Sequence, residues 1–460
     1  MLLTRRAATI IALVMLLAAF QLGPSTPAID GSRSRESEKS EDEERIQRTG
    51  RAPLTTPMVR APAPGWAGEK PFGGGNDWEP SVAADPSSLY VHMATTRYSG
   101  AGACGNCPLP YIVLRTSSNG GQAFGPVGFI CACPGTNGQY DPVIRSDADG
   151  DLYATWLNNN PVVFSRSTDN GQTWTPPVNV SGPLNWGDKP WIAVGPSGQD
   201  VYILFNHSDS YVVSSHDFGQ TWSDPEQTNT NNRFHYVNGG FVASDGDVTF
   251  TQQNYAQSFT GPISVVATRS GDGGSSWQTT FLDTVQEQPS CNTRGCPFDH
   301  YGGQASLAGD ADGDLLVAYT GANKPRGRQF IFTRRSSDGG ATWSGRIAVS
   351  PNRRGIVASF PAVVSPADGE FRLTFQDDRK GNKNWNTWYK RSTDGGVTWS
   401  GPLRISDARG GAGYKDAGGF DADYGDYQDL AITSSGETFV VWGEGFNYYG
   451  PGGTWYNREV

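Results

Sequence analysis

Carboxylates and aromatic rings recur side by side along this chain, at Asp77, Trp78 and Glu79, at Tyr140 and Asp141, and at Trp186, Asp188, Lys189 and Trp191. The pattern returns at His235 and Tyr236, at Asp299, His300 and Tyr301, and at Tyr424, Asp426 and Tyr427. Rings stack on the apolar faces of sugars, and carboxylates accept hydroxyl hydrogen bonds or carry out acid–base work, so the combination suits a carbohydrate ligand. Turns favour Asp regardless of function, so the set as a whole carries more than any member. Two further spots could do chemistry: Asp377, Asp378 and Arg379 in FQDDRKGNKNW, and Glu444 in VVWGEG. A carboxyl with a raised pKa beside one left ionised is the acid–base pair of a glycosidase. The plainer reading of Asp378 and Arg379 is a local ion pair that holds a hairpin. From these, Asp188, Asp378, Arg379, Asp426 and Glu444 are the candidate catalytic residues. The candidate sugar-binding residues are Trp78, Tyr140, Trp186, Trp191, Tyr236, His300, Tyr301 and Tyr427.

These residues need a scaffold, and the chain repeats one. An octapeptide reads STDNGQTW at 167–174, SHDFGQTW at 215–222, SGDGGSSW at 270–277, SSDGGATW at 336–343 and STDGGVTW at 392–399, with a worn copy, SSNGGQAF, ending at Phe124. The spacing of 48 to 66 residues suits one four-stranded blade per repeat. Its glycines supply positive φ in a tight turn, while Ser and Asp side chains satisfy backbone donors that the turn leaves open. Seven strand–turn–strand units accompany the six boxes, among them EPSVAADPSSLYVHMAT from Glu79 and YQDLAITSSGETFVVW from Tyr427. No long 3.6-residue apolar period occurs, so the class is all-β. The expected fold is a β-propeller of four-stranded blades, seven preferred, with six as the alternative. The last unit ends at GTWYNREV without an outer strand, and an open edge is a liability, so residues near Leu54 to Arg60 are expected to supply it.

The octapeptides resemble the Asp boxes, or BNR repeats, of the sialidase superfamily, over roughly residues 75 to 460. That resemblance implies that each box joins the third and fourth strands of a blade on the face opposite the active site. The candidate residues then fall on the loops of the other face, and a sialidase-like exo-glycoside hydrolase is the implied activity. A non-catalytic propeller that binds carbohydrate or protein, and a polysaccharide lyase, are the alternatives. Sialidases bear three arginines that clamp the sugar carboxylate, a Tyr–Glu pair and an aspartic acid–base residue. Their Arg-Ile-Pro element has only a partial echo in Val59, Arg60, Ala61 and Pro62, and spacing does not select three clamps from Arg97, Arg233, Arg328 and Arg379.

Composition narrows the partners. Residues 1–28 hold Arg5 and Arg6, an apolar run from Ala7 to Phe20 and then small residues, the three-part form of a secretory signal. An uncleaved N-terminal anchor facing outside is the alternative. Residues 29–52 mix charges without apolar content and read as a disordered spacer, leaving 53–460 as the propeller. A secreted, monomeric protein without a membrane span after signal removal is expected, with a glycan or glycoconjugate as partner. The net charge of −10 argues against nucleic acid.

Six cysteines form three close sets, Cys104 with Cys107, Cys131 with Cys133, and Cys291 with Cys296. Disulfides are expected on an oxidising export route, although four sulfurs brought together in the first repeat would also suit zinc. No HExxH, nucleotide-binding loop or GxSxG appears. The DADGD run at 147–151 and its relative at 310–314 lack the glutamate of an EF-hand and read as hairpin turns. No metal or cofactor is expected.

Overall fold

The structure is a computed structural model that describes residues 61–460 apart from 74, 101–103, 185, 230–233, 256–261, 287–303, 326, 354, 382–383, 409–410, 414–427 and 446–451. Its strands form seven antiparallel sheets arranged as the blades of a propeller. Blade 1 holds Gly75–Ala84, Val91–Gly100 and Tyr111–Ser117, and a single bridge between Leu114 and Gly128 stands in for its outer strand. Blades 2 to 6 begin at the inner strands Gln139–Ser146, Asp188–Val194, Phe234–Val242, Ala305–Gly309 and Ala358–Ala367. Blade 7 consists of Gln428–Ile432, Thr438–Gly445 and Gly452–Arg458, with Lys70–Pro71 as its outer strand. Each inner strand packs on the next, and the inner strand of blade 7 packs back on that of blade 1.

The closing strand is therefore N-terminal, as expected, but not where expected. Leu54 to Arg60 lie outside the described residues, and the edge of blade 7 is taken by Lys70 and Pro71, opposite Tyr456 and Trp455. Trp66 bridges to Glu459 further along. An outer strand of two paired residues leaves no alternating signature, so its position could not be read from pattern. A second fastening lies inside the ring. Asp429 of blade 7 accepts hydrogen bonds from Ser81 Oγ (2.9 Å) and Val82 N (3.0 Å) of blade 1, and its carboxylate meets Arg145 of blade 2 at 2.8 Å.

The boxes do what their side chains suggest. In the blade 3 copy, Ser215 Oγ donates to Asp217 and accepts from Gly219 N (2.9 Å), while Asp217 accepts from Thr221 N (2.8 Å) and Thr221 Oγ1 (2.6 Å). The Trp222 ring then lies 4.9 Å from Phe164 of blade 2, edge to face. Gly219, at φ 81°, has no room for a side chain, since a Cβ would come within 2.2 Å of the Phe164 ring. The box turn thus wedges each blade onto its predecessor, which locks the ring through apolar contact rather than through charge.

At the opposite ends of the inner strands the backbone departs from regular β geometry. Glu79, Asp141, Lys189 and Phe360 all have positive φ, between 45° and 60°, and each precedes a proline. Proline disfavours the helical basins for the residue before it, and a non-glycine residue in the left-handed region costs of order 1–3 kcal/mol. The inner pair slips register at each of these places, between Trp78 and Ser81, between Tyr140 and Val143, opposite Leu204 to Asn206, and between Ser359 and Ala362. Such bulges re-aim one side chain out of the alternating pattern.

Candidate functional site

Three of those four re-aimed side chains are charged, sit on three consecutive blades, and meet. Glu79 is buried; its Oε2 accepts from Thr96 Oγ1 at 2.7 Å and from the backbone N–H of Asp141, in the next blade, at 3.0 Å. Its Oε1 accepts from Tyr98 Oη at 2.8 Å. Asp141 Oδ1 in turn lies 4.0 Å from Lys189 Nζ of blade 3. Burial, and next the negative charge of Asp141, push the Glu79 carboxyl up to about 8, against the opposing pull of Lys189 and of the bond from Thr96. Glu79 is thus a neutral acid at pH 7, next to an aspartate compensated by an ammonium. The adjoining Asp77 and Arg97 form a buried two-pronged pair at 2.7 and 2.8 Å, and Tyr140 leans on Tyr98 with ring centres 6.3 Å apart. Bidentate pairing fixes the guanidinium beneath the cluster.

Residues named from sequence fall in several places. Asp188 opens the inner strand of blade 3 and accepts from the Lys189 backbone N–H at 3.0 Å. The ion pair in blade 6 is Asp377 with Arg379, not Asp378 with Arg379. Side chains alternate along a strand, so residues two apart share a face and neighbours do not. Arg379 also lies 3.6 Å over the Trp388 ring. Asp378 turns the other way and accepts from Val357 N at 2.8 Å, and burial pushes it up to about 6. Glu444 is buried and accepts from Trp442 Nε1 at 2.9 Å; burial first, and then Asp407, carries it up to about 8. Asp426, His300, Tyr301, Tyr427, Arg233 and the Cys291–Cys296 set lie outside the described residues.

Among the aromatic candidates, Trp78, Trp191 and Tyr236 are buried. Trp78 donates to Asn76 Oδ1 at 2.5 Å, Trp191 lies under Arg145 at 5.0 Å, and Tyr236 meets Tyr255 edge to face at 5.6 Å. The Trp186 ring lies 4.5 Å from that of His207, tilted by 46°. Disulfides join Cys104 to Cys107 and Cys131 to Cys133, so each set closes its own small loop. The first follows the strand that carries Tyr98, and the second precedes the strand that carries Tyr140 and Asp141. Among the described residues no group of three or more His, Cys, Asp or Glu could hold a metal ion. Asp147 and Asp310 accept backbone N–H bonds within their own hairpins, as turn residues do.

No family model matches the chain. Over 186 residues it is 27% identical to a sialidase of Vibrio cholerae, a match that takes 34% of this chain and 21% of the relative, so it spans about a fifth of that enzyme's length. The chain is thus similar to a sialidase over that stretch of sequence. An ulvan lyase solved with a bound GlcA(1-4)Rha3S unit shares the fold at 11% identity, with a TM-score of 0.50 over 85% of this chain and 94% of its own. A Hadza microbial sialidase aligns at 17% identity with a TM-score of 0.46, over 76% and 73% of the two chains. Set against the sialidase-superfamily expectation of three clamping arginines, the described candidates are each engaged locally. Arg97 holds Asp77, Arg379 holds Asp377, and Arg328 donates to Asn352 Oδ1 at 2.7 Å. Tyr98 and Glu79 are the tyrosine and glutamate that meet at the cluster described above.

Glu79, Asp141 and Lys189 were visible in sequence as members of the top-loop set, yet none entered the candidate catalytic list. The signal that would have singled them out is the charged residue before proline, Glu-Pro, Asp-Pro and Lys-Pro, at the head of three consecutive repeats.

Proposed function

We propose that this chain is an exported, sialidase-like glycoside hydrolase whose reaction centre is the Glu79, Asp141 and Lys189 cluster. The observation that carries the reading is the convergence of these three groups, from three blades, on strained positions, with Glu79 held neutral. A carboxyl that keeps its proton near pH 7 can give it to the leaving oxygen as the glycosidic C–O bond breaks, and Asp141 is the second carboxylate such hydrolysis needs. Tyr98 and Thr96 hold the Glu79 carboxyl in one orientation, and Lys189 offsets the charge on Asp141. Two disulfides fit an extracellular setting, and among the described residues no helix is long and apolar enough to cross a membrane.

The test is release of fluorophore from a panel of aryl glycosides, including an α-sialoside, by the purified protein and by Glu79→Gln. The proposal expects turnover on at least one member and a loss of about 10²–10⁴-fold in the variant. Asp378→Asn and Glu444→Gln, assayed alongside, rank the other candidate carboxylates. A silent panel, or a Glu79→Gln protein as fast as the parent, overturns the proposal, and glycan binding without turnover would mark a binding propeller.

A further inference from the structure

We infer that this centre accepts uncharged or amine-bearing sugars and rejects sugars that carry a carboxylate or a sulfate. The inference rests on the reaction centre proposed above and concerns what that centre can hold.

Recognition of an anionic sugar needs a cation whose charge is not already spent. Among the described residues, the cations beside this centre, Arg97, Arg145 and Lys189, are spent, and so is Arg379 of blade 6. Arg97 is buried and grips both oxygens of Asp77. Arg379 contacts both oxygens of Asp377, at 2.5 to 2.9 Å, with its plane against Trp388. Arg145 is committed to Asp429. Lys189 faces Asp141 at 4.0 Å. An incoming carboxylate would therefore stand beside Asp141 without gaining an unshared partner, and like charges brought together out of water cost several kcal/mol. Paired cations also keep their carboxylates in place, so the arrangement gives up little when a neutral ligand binds. An ammonium, by contrast, would find carboxylates.

The rest of the ring offers neutral partners. At the corresponding ends of blades 3, 4, 6 and 7, Asn206 Oδ1, Gln253 Nε2, Gln376 Oε1 and both amide atoms of Gln428 are buried and make no hydrogen bond among the described residues. Buried amides without partners are rare, because each forgoes its hydration without replacement. Amides suit hydroxyl and acetamido groups, which donate and accept without net charge.

The experiment uses the unmodified protein and matched 4-methylumbelliferyl glycosides: glucoside, N-acetylglucosaminide, glucosaminide, glucuronide and α-sialoside, read as kcat/KM. In parallel, the thermal midpoint is read with glucose, N-acetylglucosamine, glucosamine, glucuronic acid and sialic acid. The expected result is turnover and stabilisation confined to neutral and amine-bearing members, with acidic members at least about 100-fold weaker. Preferred turnover of the glucuronide or the sialoside overturns this inference and leaves the hydrolase reading standing. A panel silent in turnover overturns the hydrolase reading, and the binding arm then decides this one: stabilisation by an acidic sugar, or by none, overturns it.

Discussion

Blades 1 to 3 and blades 4 to 7 solve the same packing problem with different chemistry. Between blades 5 and 6 and between blades 6 and 7, contacts near the head of the inner strands are made by uncharged groups, whereas Asp429 of blade 7 reaches blades 1 and 2 through its charge. Gln304 Oε1 of blade 5 accepts from Ser359 Oγ of blade 6 at 3.2 Å, and Gln376 Nε2 of blade 6 donates to Gly443 O of blade 7 at 3.1 Å. The early blades place Glu79, Asp141 and Lys189 there. Burying charge is costly unless it is paired, and the contacts between blades 5 and 6 and between blades 6 and 7 are made without it. The Glu79, Asp141 and Lys189 cluster is therefore not something every blade contact requires, which supports the role proposed for it. Positive φ adds to the contrast, since three of the four left-handed pre-proline residues belong to that cluster.

The comparison can be broken first at Glu79. Changing it to Gln removes the proton while keeping an amide of the kind the later blades use, so turnover should fall by about 10³, worth ~4 kcal/mol in the barrier, with little change in melting temperature. Lys189→Met leaves Asp141 without its compensating ammonium, and should cost about 3 kcal/mol in urea denaturation. The reverse exchange, Gln304→Glu, imports a carboxylate into the neutral contact between blades 5 and 6; it should cost about 2 kcal/mol and leave turnover unchanged.

Smallest per step is the pH dependence of stability. Glu79 holds its proton in the folded state up to about 8 but releases it near 4.5 when unfolded. Its contribution is therefore complete below about pH 4.5 and is lost as pH rises toward 8, at roughly 1.4 kcal/mol per unit for one group. Glu444 acts in the same direction. Glu79→Gln should flatten its share of that slope, seen as a smaller drop in urea midpoint between pH 5 and pH 8.

Much of the ring was legible because its determinants are local. The octapeptide states its own hydrogen bonds, Ser to Asp and Asp to the following N–H groups, and the seven hairpins alternate in step with their strands. Lys70 and Pro71 were not legible, because two residues that pair with a strand almost 400 positions away carry no pattern of their own. The ion pair was assigned to Asp378 rather than Asp377 because adjacency in sequence was given weight that strand alternation denies it. Trp78 and Tyr236 read as platforms for sugar; both are buried, and Tyr236 belongs to an apolar cluster that spans blades 4 and 5. The proposed reaction centre was half legible. Its residues stood in view, but the bulge that gathers them depends on neighbouring blades and shows only as charged residues before proline.

The most direct test is the pH profile of turnover on the best substrate of the unmodified protein. If Glu79 supplies the proton, the rate is sustained through neutral pH and falls as pH rises through about 8, where that carboxyl ionises. A rate that is flat or rising across that interval would contradict the account.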